Sequence, residues 1–109
     1  MATTYKVLGQ VAPSATTNTD LYTVGAGKSA VVSTIAVTNR AATSSTYRIA
    51  IRIAGAAISN EDYIAYDSTV AANDSTMLTI GITLGAADII TVYASSANLS
   101  FNAFGSEIS

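Results

Sequence analysis

The sequence predicts an all-β protein, an antiparallel β-sandwich of about eight strands. Three observations lead there. Short apolar runs alternate with polar residues at a period of two. Clusters of Gly, Asn, Asp, Ser and Pro interrupt these runs at regular spacing. No segment sustains a helical period. A chain of 109 residues suits one core closed between two sheets.

The elements follow in order. A first strand is expected near TYKVLGQV, followed by the loop APSATTNT with the only proline, Pro13. TDLYTV, a tight GAGK turn and the returning strand SAVVSTIAVTN come next. The loop RAATSS leads into TYRIAIRIA, where Tyr47, Ile49, Ile51 and Ile53 should face the core and Arg48, Ala50, Arg52 and Ala54 should face away. DYIAYDST, the turn VAANDS and the strand TMLTIGITL follow. In that strand Leu78, Ile80, Ile82 and Leu84 form one row. The turn GAAD precedes IITVYAS, and the chain closes on LSFNAFGSEI. Further core rows are expected from Val31, Ile35 and Val37, from Ile90 and Val92, and from Leu99 and Phe101. Periodicity does not encode strand order, so Ig-like and jelly-roll connections both stand. Residues 1–20 read as a strand or arm with a flexible loop, and residues 21–109 as the sandwich domain.

Composition narrows the functional classes. Only 11% of residues are charged, against about 25% in an average soluble domain. Ser, Thr and Ala take their place, which suits a surface largely covered by other subunits. The net charge is −2 and the bases Lys6, Lys28, Arg40, Arg48 and Arg52 form no run, so no nucleic-acid footprint is expected. With no cysteine and no histidine, disulfides, thiolate chemistry and the commonest bases and metal ligands are missing. The opening MATTYKVLGQ has neither the basic start nor the apolar core of a secretory signal. The stretch between Asp88 and Glu107 is too polar to span a membrane.

Individual motifs carry little chemistry. GAGKS, from Gly25 to Ser29, resembles the end of a phosphate-binding loop, but Tyr22 stands where the first glycine belongs. β-Branched residues follow where a helix should start. Glu61 and Asp62 are neighbours ahead of a strand and would point to opposite faces, unlike a catalytic carboxylate pair. Asn60, Glu61 and Asp62 lack the ligand spacing of a calcium loop. Asn73 and Asn98 sit in glycosylation-type triplets that read as turn chemistry. No cofactor and no metal are expected, and the chain is read as a non-enzyme. Tyr47, Tyr63, Tyr66 and Tyr93 fall on strands, where such rings either edge the core or stack on a sugar or partner. Arg48 and Arg52 share a polar face, either solvated or aimed at carboxylates of a neighbouring subunit.

LYTVGAGK (Leu21–Lys28), Asn39 before a short polar loop, LGAADIITVYAS (Leu84–Ser95) and FGSEI (Phe104–Ile108) resemble a family of small structural proteins of tailed bacteriophages and prophages. The likeness covers the chain from about Leu21 onward and departs from the pattern at Gly25, where proline is expected. It implies a virion component made in the host cytoplasm. The favoured role is a cement or decoration protein that bridges capsomers on the capsid surface. Its implied partners are the major capsid protein and copies of itself, with trimers at local three-fold axes suiting the role. The alternative is a tail- or fibre-associated module that binds a partner protein or a host-surface glycan. Arg40, Arg48, Arg52, Tyr63, Tyr66 and Asp67 are the residues expected at a subunit contact.

Overall fold

A computed structural model describes residues 2–109. It contains eight strands: β1 (Thr3–Val11), β2 (Thr19–Thr23), β3 (Ser29–Asn39), β4 (Ser45–Arg52), β5 (Tyr63–Val70), β6 (Ser75–Leu84), β7 (Ile89–Ala94) and β8 (Leu99–Ile108). Two short 3₁₀ turns, Ile53–Gly55 and Asn60–Asp62, lie between β4 and β5. The strands form two four-stranded sheets, ordered β1-β8-β3-β6 and β2-β7-β4-β5, with every pairing antiparallel.

The order resolves the open choice of connection. β4 pairs with β5, β3 with β6, β2 with β7 and β1 with β8. The chain is therefore one long hairpin, β1–β4 against β5–β8, rolled so that alternate rungs fall into opposite sheets. This is a jelly roll. β1 is paired along its length with β8 and forms an edge of the first sheet.

The core lies between the sheets. Val32, Ile35, Val37, Leu84, Leu99, Phe101 and Ala103 enter it from the first sheet, and Tyr47, Ile49, Ile90 and Val92 from the second. Tyr47 and Phe101 meet edge-on across the gap, with centroids 6.2 Å apart, a favoured aromatic geometry. The rows expected from Ile90 with Val92 and from Leu99 with Phe101 are fully buried.

Four details of the sequence reading are corrected. Val31 faces out while Ala30 and Val32 are buried. The cause is a bulge at Ser33: β3 carries one residue more than β8 between the pairs Val32–Gly105 and Thr34–Phe104. One extra residue reverses the alternation, so the inward set moves from even to odd positions. β1 does the same at Leu8, between Val7–Phe104 and Gly9–Ala103. β6 places Ile80 and Gly81 opposite Ser33, which turns Ile80 out of the Leu78–Ile82–Leu84 row to 52% exposure.

The third correction is at Ile53, which is 71% exposed. β4 ends at Arg52, and Ala54 and Gly55 take left-handed angles (φ 53° and 72°) that no strand can continue. The fourth concerns GAGK. It is a tight turn closed by the Lys28 N–H to the Gly25 carbonyl, with Gly27 at φ 73°, the third position of a turn that favours glycine. However, it joins β2 of one sheet to β3 of the other, so these strands are not a hairpin.

Asn39 closes one end of the sandwich. Its buried amide donates to the Thr43, Val70 and Ala71 carbonyls and its Oδ1 accepts from the Ala41 N–H. At the other end the Asp88 carboxylate accepts from the Ala54 and Gly85 N–H groups. This ties the β6–β7 turn to the exit from β4.

Candidate interaction surfaces

The outer face of the second sheet is built around Arg48. Alternation along β4 sends Arg48 outward, opposite Tyr93 of β7. On the other side β5 spends three steps, Ser68 to Ala65, against two on β4. That bulge, with Asp67 at φ 51°, presents both Tyr66 and Asp67 to Arg48. The guanidinium lies 4.2 Å from the Tyr66 ring centre and 4.4 Å from that of Tyr93. Its Nε and Nη2 donate to the Asp67 carboxylate at 2.7 and 3.3 Å, a two-point contact suited to the planar fork. Arg48 holds the Asp67 carboxyl below its ordinary range, chiefly through this hydrogen bond. Tyr63 packs edge-on against Tyr66 at 4.9 Å.

Arg52 serves the same face differently. It donates to the Gly55 and Ala56 carbonyls, each at 2.8 Å, and reaches Asp20 at 3.3 Å. Thr91 donates to the same Asp20 oxygen at 3.0 Å. Beneath these side chains the outward-facing Ala50 and Thr91 are buried. Of the six residues expected at a contact, Arg48, Arg52, Tyr63, Tyr66 and Asp67 thus share one face. Arg40 lies apart, in the β3–β4 loop, where it donates to the Ala97 carbonyl at 2.8 Å. Asp20 and Thr91 belong to this face and were missed, and Tyr93, read only as a strand tyrosine that edges the core or stacks on a partner, joins them. The alternation of IITVYAS, which sets Thr91 and Tyr93 opposite Ile90 and Val92, was the available signal.

Near the GAGK turn, Glu107 gathers a second cluster of charge. Tyr22 Oη donates to Glu107 at 2.7 Å, and Lys6 and Lys28 lie 3.2 and 3.5 Å from its other oxygen. The carboxyl is held below its usual range by the Tyr22 hydroxyl first and Lys6 next. Burial, and then Glu107 itself, push the Tyr22 hydroxyl far upward. Lys28, the lysine of the apparent phosphate loop, is therefore an ion-pair partner of a carboxylate.

The outer face of the first sheet has the opposite character. Tyr5, Val7, Val31 and Phe104 line a shallow depression of about 520 Å³ on it. A smaller one of about 350 Å³ lies by Gln10, Ala12, Ser100 and Asn102. Neither depression is lined by a carboxylate. Among the described residues, no three acidic side chains gather as a metal site, and every buried side-chain nitrogen and oxygen has a partner. Among the described residues, no helix is long and apolar enough to cross a membrane.

The fold and surfaces define a class: a two-sheet jelly-roll sandwich whose buried polar side chains, among the described residues, are satisfied internally. Comparison with protein-family models, with curated proteins and with solved structures returned no match for this chain.

Proposed function

We propose that this chain is a non-enzymatic structural protein of a bacteriophage virion, acting as a capsid cement protein that bridges neighbouring subunits. The observation that carries this reading is the pair of opposed broad faces. One is nearly uncharged and partly apolar, and the other is an arginine–tyrosine surface. A bridging protein needs two such contact areas, one toward each neighbour. The resemblance in LYTVGAGK, LGAADIITVYAS and FGSEI supplies the setting. The major capsid protein is the proposed partner of the arginine–tyrosine face, since Arg and Tyr are enriched where protein contacts are tightest.

Immunogold labelling of purified virions tests the assignment. Gold over the heads, together with lower heat resistance of particles lacking the chain, is the expected result. Gold confined to tails overturns the cement role. It would favour the second reading, a tail module for a partner or glycan, for which the half-exposed Tyr66 ring beside Tyr63 offers a stacking surface.

A further inference from the structure

The outer face of the first sheet carries almost no charge, Lys6 being the one charged residue that borders its depression. Among the residues of β1, β3, β6 and β8 the only side chains charged at neutral pH are Glu107 and Lys6, and they pair with each other at 3.2 Å. The register sets Glu107 opposite the buried Ala30 and Lys6 opposite Gly105, on the inward side of the sheet. The outward rows run Tyr5–Ser106–Val31–Thr83 and Gln10–Asn102–Ala36–Met77 across the four strands. Val7 and Phe104 lie between them. Tyr5 is 84% exposed and Met77 59%. Large apolar side chains this exposed, grouped on one face with only hydroxyls and amides among them, mark a covered surface.

We infer that this face binds a second copy of the same chain, the two related by a two-fold axis. Three features select that occupant. First, a face with so little charge gives a charged partner little to recognise. For two copies of a chain with net charge −2, it is the approach that keeps like charges apart. Second, the face carries both a knob and a hollow. Tyr5 stands at the rim of the depression lined by Val7, Val31 and Phe104, so one operation satisfies both copies, as a two-fold interface requires. Third, the area is adequate. Four strands of about ten residues give a face of about 600 Å². Two such faces bury about 1,200 Å², the lower edge of the range for specific complexes. Sheets stacked this way would leave the arginine–tyrosine faces outermost on both sides. The inference thus rests on and sharpens the bridging reading: the bridging unit is a pair, with one capsid-facing surface at each end.

Sedimentation equilibrium of the full chain tests this without any particle, over about 1 to 100 µM. The expected result is a reversible monomer–dimer equilibrium. Tyr5→Glu and Met77→Lys, both at exposed positions, should each weaken it by about tenfold or more, with an unchanged circular dichroism spectrum. Tyr66→Ser, on the opposite face, should leave it unchanged. A chain that stays monomeric throughout overturns the inference. So does a trimer, or a dimer that Tyr5→Glu leaves as tight as before. These outcomes are independent of where gold falls on a virion, so the dimer and the capsid assignment fail separately.

Discussion

The outer faces of the two sheets arise from the same kind of sequence and end in opposite states. In the second sheet, alternation along β4 puts Arg48 and Arg52 outside. The protein then covers them itself: Tyr66, Tyr93 and Asp67 enclose Arg48, and Asp20 with the Gly55 and Ala56 carbonyls holds Arg52. In the first sheet the outward positions hold Tyr5, Val7, Met77 and Phe104, and these side chains stay exposed. A polar pattern therefore does not by itself mean a solvated surface, and an apolar one does not mean core. What decides is whether neighbouring strands bring a partner to the same face.

The comparison can be broken most severely in the first sheet. A side chain at Gly105 would run into the Val31 carbonyl at the β3 bulge. Gly105→Val should therefore cost about 3 kcal/mol or more, read as a lowered urea midpoint, and should disorder the face that carries Phe104. A smaller loss is expected where the sheets are joined. Asn39→Ala leaves the Thr43, Val70 and Ala71 carbonyls and the Ala41 N–H without their side-chain partner. It should cost about 2 kcal/mol by the same measurement while leaving both outer faces intact.

The next effect depends on pH. The folded protein holds Glu107 below its ordinary value of 4.5. The stability this supplies is complete above 4.5, declines as pH falls below it, and is lost as pH passes through the lower native value. Glu107→Gln should flatten that part of a plot of thermal midpoint against pH. The smallest effect belongs to the second sheet. Arg48→Met removes the hydrogen bond that lowers Asp67, so the Asp67 carboxyl, followed by NMR titration, should rise toward its ordinary 3.8. The thermal midpoint should fall less than in Asn39→Ala, because the pair stays partly in contact with solvent.

Much of this arrangement was legible in the chain. β3 was read with its observed limits, Ser29 to Asn39. The outward placing of Arg48 and Arg52 followed directly from the alternation of β4, and the pairing of β4 with β5 adds Tyr63, Tyr66 and Asp67 to the same sheet. Their partners were harder to see. Asp67 reaches Arg48 through a bulge, and Asp20 reaches Arg52 from a strand two positions away in the sheet. The apolar outer face was obscured for a related reason. Val31 counts as core until Ser33 is known to bulge, and Tyr5 and Val7 gain significance only beside Ser106 and Phe104.

The sequence alone determined the all-β class, the number of strands, the depletion of charge and most of the buried rows, because a period of two is a local property of the chain. Only the tertiary structure decided the jelly-roll order, the bulges at Leu8, Ser33 and Ile80–Gly81, and which of two similar patterns would be covered. Those outcomes rest on register between strands far apart in the chain. A single added residue reverses every side chain beyond it, and no local pattern records the partner against which it is added.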